Sequence, residues 1–179
     1  MAKYDHATKS AQHLLEEHGV QQPPVDVEAL AQQIGIRVVY EQLEDNISGL
    51  LVVQEDNTTI AGINSLHHSN RQRFTLAHEI GHYTLHPHSP TVWVDDAMVH
   101  FRGEDLHAPA TPEEVEANTF AANLLMPEPF LKQDLQGRAI DAMDEAAVRR
   151  LAQRYRVSTQ ALTIRLIELG LLGGVRQTS

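Results

Sequence analysis

The sequence predicts an α+β fold: a small sheet of about three strands packed on helices, with a helical pair at the C-terminal end. Two observations carry this. Three short β-rich runs fall together between residues 36 and 63, and segments with helical apolar spacing lie on both sides of them. A length of 179 residues with 42% hydrophobic composition is enough for one well-buried core. Residues 7 to 18 read as an amphipathic helix with Ala11, Leu14 and Leu15 on one stripe, and Pro23-Pro24 then breaks the chain. Asp26 is placed to cap a second helix, with Val25 and Leu30 as a hydrophobic staple across its start. Gly35 is the natural left-handed stop for that helix. The strand candidates are Ile36 to Tyr40, Ser48 to Val53 and Thr59 to Ile63, the last two joined by a turn at Glu55-Asp56-Asn57.

Ser69, with Gln72 three residues on, has the form of a capping box. The helix it opens runs through FTLAHEIGHYTLH and should stop at Pro87. Residues 87 to 111 read as a long loop, with some extended structure at Thr91 to Val94. Thr111-Pro112 pairs an N-cap with proline in the first helical position, opening a helix that ends before Met126-Pro127. Helices at about 144 to 155 and 158 to 170 close the chain. The whole reads as one domain, 1–179, with an N-terminal helix and linker (1–24), a core (25–138) and a C-terminal helical subdomain (139–179).

Charge and composition exclude several functions. Lys and Arg number 14 against 24 Asp and Glu, a formal charge of −10, which disfavours non-specific binding to nucleic acid or anionic membrane. No apolar run reaches membrane-spanning length, and the first residues lack the pattern of a signal peptide, so a cytoplasmic protein is expected. Zero cysteines exclude disulfides, thiolate nucleophiles and thiolate metal sites. Histidine stands out: four of 11 lie between His78 and His88.

His78-Glu79-Ile80-Gly81-His82 is an H-E-x-x-H pattern. Four helical residues turn through about 400°, so the two imidazoles stack about 40° apart, one turn over the other, and can share one zinc ion. Glu79 beside them can act as general base on a zinc-bound water. The motif sits in an apolar frame of Phe74, Leu76, Ala77, Ile80 and Leu85, and polar groups buried in such a frame need partners. The chemistry implied is that of a metallohydrolase, most often a peptidase.

Catalytic zinc takes a third protein ligand. His88 stands where a metzincin would have its third histidine, but Leu85 replaces the glycine that such a turn requires. Glu113, Glu114 and Glu116, on the helix opened by Thr111, are the other candidates. Glu114 shares a face with Asn118, so one could bind metal while the other hydrogen-bonds a ligand histidine. Glu114 also fits a capping box with Thr111, and local rules leave these two roles open. Glu116 should face about 200° away from Glu114, toward solvent.

FTLAHEIGHYTLH followed by EEVEANTFAANLLMP resembles the ImmA/IrrE family of bacterial zinc metallopeptidases. The resemblance extends over roughly residues 25 to 172 and includes Gly35-Ile36, Ile63-Asn64 and RVSTQALTIRLIELGLL. It implies a zincin-like core and aligns the family pattern E-x-x-A-N-x-F-A on Glu114, Ala117, Asn118, Phe120 and Ala121, making Glu114 the third zinc ligand. The arrangement is also similar to the E-x-x-x-D of thermolysin-like gluzincins, with Asn118 in place of the acid. By resemblance, the substrate is a helix-turn-helix transcriptional repressor, whose cleavage or inactivation releases genes of mobile elements or of stress responses.

The expected function is therefore zinc-dependent endopeptidase. His78, His82 and Glu114 hold Zn2+, Glu79 is the base, and an oxyanion donor comes from among Tyr83, His86, His88, His100 and Tyr155. The rival is a zinc-binding regulatory protein that docks a repressor or partner without cutting it. Residues 148 to 172 have the helix–turn–helix look of a DNA-binding protein. Residues 139 to 179 carry six Arg and four acids, but the turn lacks glycine and the second helix is rich in Leu and Ile, which suits packing over groove reading.

Overall fold

The computed structural model describes residues 2–54, 56–86, 92–96 and 111–173, and places them in an α+β arrangement. Helix α1 spans Ala2–Glu17, starting five residues before the expected Ala7, and buries Ala7, Ala11, Leu14 and Leu15. Helix α2 spans Val27–Gln33 with Asp26 as its cap, the carboxylate accepting from the Ala29 amide at 3.1 Å. Gly35 follows at φ +86°, a left-handed conformation that glycine adopts without cost.

Strands β1 (Ile36–Glu41), β2 (Ile47–Val53) and β3 (Thr59–Asn64) form as expected, and β2 and β3 make the antiparallel hairpin. The turn is closed by Asp56, whose side chain accepts from the Thr58 amide at 2.9 Å, and by Asn57 at φ 65°. The sheet has a fourth strand, β4 (Val92–Asp96), where extended structure was expected around Thr91 to Val94; the order is β1-β3-β2-β4, with β1 and β3 parallel. Pairing along β2 makes this segment an edge strand of the sheet.

Asn64 ends β3 inside the protein, fully buried. Its amide donates to the carbonyls of Leu43, Glu44 and Ile47, and its carbonyl oxygen accepts from Leu66 at 3.0 Å. One side chain thus ties the β1–β2 connection to the entry of helix α3 (Ser69–Leu85). The expected Ser69–Gln72 capping box does not open this helix. His68 is the cap, its Nδ1 accepting from the Asn70 amide at 3.2 Å, while the Gln72 side-chain amide donates to the Asn64 carbonyl at 3.1 Å.

Helix α4 (Pro112–Leu125) is capped by Thr111 as expected, and a short helix α5 (Glu128–Asp134), which the sequence reading had not separated, follows it. Helices α6 (Glu145–Tyr155) and α7 (Thr159–Glu168) complete the chain, flanked by the paired strands β5 (Ile140–Asp141) and β6 (Leu172–Gly173). The two helices are fastened to the core by arginine contacts. Arg165 donates to Asn123 at 2.6 Å and to the Met126 carbonyl at 3.3 Å, and Arg73 of α3 donates to the Arg156 carbonyl at 3.3 Å and the Val25 carbonyl at 2.8 Å. The core runs from α1 and α2 through one face of the sheet to α3, α4 and α7, and includes Ile36, Leu51, Ile63, Leu76, Ile80, Phe120, Leu124 and Leu162. No helix among the described residues is long and apolar enough to cross a membrane.

Candidate metal centre

Helix α3 passes through the middle of this core, and Thr75 to His82 are all buried. His78 and His82 bring their Nε2 atoms within 2.9 Å of each other, as the four-residue spacing requires. Their rings meet edge to face with centroids 4.5 Å apart. The partner helix α4 brings the carboxylate of Glu114 onto the same point: Oε2 lies 3.3 Å from His78 Nε2 and Oε1 3.2 Å from His82 Nε2. Among the described residues His78, His82 and Glu114 form a group whose ligand atoms all lie within 4.8 Å of one another.

The close approach of α3 and α4 has a specific cause. A Cβ added at Gly81 would come within 3.1 Å of the Ala117 Cα and 3.2 Å of the Ala117 carbonyl oxygen. Glycine on one helix and alanine on the other let the two backbones meet, and the neighbouring turns carry the histidines on one side and Glu114 and Asn118 on the other. Sequence reasoning missed this contact, because neither small residue is remarkable in its own helix.

Asn118 lies behind His78. Its Oδ1 lies 2.9 Å from His78 Nδ1, so with the amide oxygen facing the ring, Nδ1 carries the proton and donates. The Nε2 lone pair of His78 is then directed at His82 and Glu114, the tautomer a metal ligand needs. Burial lowers the His82 pKa, against the opposing pull of a hydrogen bond to Glu114, and so favours the neutral imidazole. Burial would raise the Glu114 pKa, but its contacts with His78 and His82 outweigh this and hold the group well below the usual carboxylate range. Two imidazole nitrogens and an ionised carboxylate thus meet in a protein interior, a concentration of acceptors that a cation answers. The donor set suits zinc.

Glu114 also sits at the start of α4, where its backbone amide donates to Thr111 Oγ1 at 3.3 Å. The cap and the histidine contact coexist, because the amide serves one and the carboxylate the other. Glu79 is fully buried and lies against β2: a Cβ built on Gly49 would stand 3.1 Å from Glu79 Oε1 and in collision with the Thr75 methyl. Glycine at 49 therefore leaves room for the carboxylate, a second position that sequence reasoning did not single out.

The remaining candidates separate. Glu116 does not face solvent as expected; its side chain is 15% exposed and its Oε2 lies 3.6 Å from His86 Nε2, beside the His82 ring. Tyr83 is half-buried on the same helix. Tyr155 is buried on α6, and its hydroxyl donates to Asp134 at 3.0 Å in the packing of α6 against α5. His88 and His100 lie outside the described residues.

Comparison with known proteins gives these observations a context. The family model described as the IrrE N-terminal-like domain of the M78 peptidases matches residues 31–166. The radiation response metalloprotease IrrE of Deinococcus radiodurans is 35% identical over 117 residues, covering 59% of this chain and 30% of that protein. An uncharacterized immunity region protein of Bacillus phage phi105 is 33% identical over 104 residues, covering 58% of this chain and 60% of its own. The match thus spans less than two thirds of each relative's length. A Mycobacterium tuberculosis transcriptional regulator shares the fold at a TM-score of 0.58 and 17% identity, covering 98% of this chain and 49% of that one. The matched span runs from within α2 to within α7, the helix that braces α4, and takes in both helices that carry the His-His-Glu group; on this ground the chain belongs to the ImmA/IrrE family of M78 peptidases.

Proposed function

We propose that the protein is a zinc-dependent endopeptidase that acts on a protein substrate, with a helix-turn-helix transcriptional repressor as the favoured class. One observation carries the reading: His78, His82 and Glu114 converge within 4.8 Å, with Glu79 buried on the same helix. The family and the two curated relatives, one a metalloprotease and one a phage immunity region protein, support it.

His78, His82 and Glu114 would hold the ion, and Asn118 would fix the His78 ring. Zinc there would supply Lewis acidity, enough to bring the pKa of water to about 7 and to polarise a carbonyl. Glu79 takes one proton from the attacking water on a carboxylate oxygen. It then delivers that proton to the amide nitrogen as the C–N bond breaks, leaving a carboxylic acid and an amine. Burial of Glu79 keeps bulk water from competing for that proton.

The test is Glu79→Gln, which preserves shape and removes the base. Zinc content and thermal stability should hold, and cleavage of a candidate repressor should fall by at least about a hundredfold. Cleavage at the native rate would overturn the mechanism. Equal binding of the repressor by both forms, with no cleavage by either, would favour the reading in which the protein docks its partner without cutting it.

A further inference from the structure

Between the first half of α3 and the α6–α7 turn lies an open cavity of about 610 Å3. Its rim holds Arg71, Arg149, Arg156 and His68, and its floor includes Phe74 and the buried Val157. None of the described residues lining it is Asp or Glu, in a chain where acids outnumber Lys and Arg by 24 to 14. Two of the helices bordering it, α3 and α7, add to the field with their N-terminal ends, while α6 meets it with its C-terminal half. Helices α1, α2, α4, α5 and α6 each carry an acid in the first turn, whereas α3 and α7, whose first turns line the cavity, carry none. Arg71 is anchored to Ser48 Oγ at 3.1 Å, while Arg149 and Arg156 lie exposed at the mouth. The cavity is close to the metal centre: Phe74 precedes His78 by one turn of α3, on the same side of the helix.

We propose that this cavity is a docking site for an acidic segment of a protein partner, an apolar side chain seated on Phe74 and Val157 and flanking carboxylates paired with the arginines. Arginine pairs carboxylates through a planar fork of donors, and an apolar floor gives such a segment an anchor that charge alone would not. Nucleic acid fits less well. A duplex carries its charge far beyond one cavity and would meet the acidic remainder of a chain with net charge −10, whereas a short segment confines its charges to the pocket. A phosphate backbone also has no use for an apolar floor.

The inference deepens the peptidase reading by giving the partner's docking chemistry, and it is tested without turnover. Phage-displayed random peptides are selected on the full-length Glu79→Gln protein, in which cleavage is removed, so failure of docking and failure of catalysis are read separately. Enriched peptides should carry Asp or Glu beside Leu or Phe. Their affinity should fall at least about tenfold in the Arg149→Glu, Arg156→Gly double variant and weaken with salt. Glycine suits the left-handed backbone at 156 (φ 52°), so zinc content and melting temperature should be unchanged. Enrichment of neutral or basic peptides, or undiminished binding by the double variant, would overturn the proposal. So would a labelled DNA duplex that binds the native protein and is lost with the same two changes.

Discussion

Glu114 serves two needs at once, and a mutation can separate them. Its amide closes the first turn of α4 on Thr111, while its carboxylate lies 3.2 Å and 3.3 Å from the two imidazoles. Glu114→Gln leaves the amide untouched, so loss of a cap is not at issue, and the substitution reads the carboxylate alone. Zinc affinity should fall far more in Glu114→Gln than in Glu116→Gln, whose partner is His86. Competition with a chromogenic chelator measures both. Asn118→Ala should give a smaller loss, about 10–100-fold, the range for groups that orient a metal ligand. If Glu116→Gln proves the more damaging, the ion sits one turn further along α3, toward His86. How far this group was legible in the sequence follows from distance along the chain. His78 and His82 are four residues apart, and helical geometry alone brings them together. Glu114 lies beyond a long loop, where local rules left it divided between cap and ligand, and only the resemblance of EEVEANTFAANLLMP to a known family decided between them.

Two glycines set how closely the elements of the site approach, and neither is visible as a pattern in its own segment. Gly81 faces Ala117 across α3 and α4, and Gly49 faces Thr75 and Glu79 across β2 and α3. In an isolated helix Gly→Ala gains about 1 kcal/mol of propensity. At Gly81 the added methyl meets backbone atoms at 3.1 Å and 3.2 Å, which cannot rotate away, so α4 must shift. Gly81→Ala should therefore weaken zinc binding at least about tenfold while the thermal stability of the metal-free protein changes little, propensity offsetting strain. Unchanged zinc affinity would show that the interface absorbs the methyl without moving Glu114. The same limit on legibility explains α5 and the bounds of β4. Short elements specified by their neighbours leave little periodicity of their own, whereas α4 has a cap, and α3, α6 and α7 have apolar stripes, that local rules can read.

Across the whole molecule, stability against alkali depends on how α6 is packed. Tyr155 is fully buried, and burial, with the hydrogen bond to Asp134 and that carboxylate's charge, pushes its pKa far above the ordinary value near 10; Arg154 opposes this only in part. In the unfolded chain the phenol ionises near pH 10, while in the folded protein it keeps its proton. A raised folded-state pKa gives stability that is complete below about pH 10 and is lost as pH rises toward the folded value, because the unfolded state then binds fewer protons. Tyr40 acts in the same direction, through burial and its bond to Glu28, but it is 40% exposed and its share is smaller. The unfolding free energy of metal-free protein in guanidinium should accordingly be flat from about pH 8 to 9.5 and then fall, approaching about 1.4 kcal/mol per pH unit for one such group. Tyr155→Phe should lose about 1 kcal/mol at pH 8, since Asp134 keeps Arg154 at 2.7 Å but loses the phenol, and its alkaline slope should be shallower than that of the native chain. Parallel curves for the two proteins would show that the buried tyrosine does not govern this limb, and that the anchoring of α6 to α5 through Asp134 opens before the phenol is ever asked to ionise.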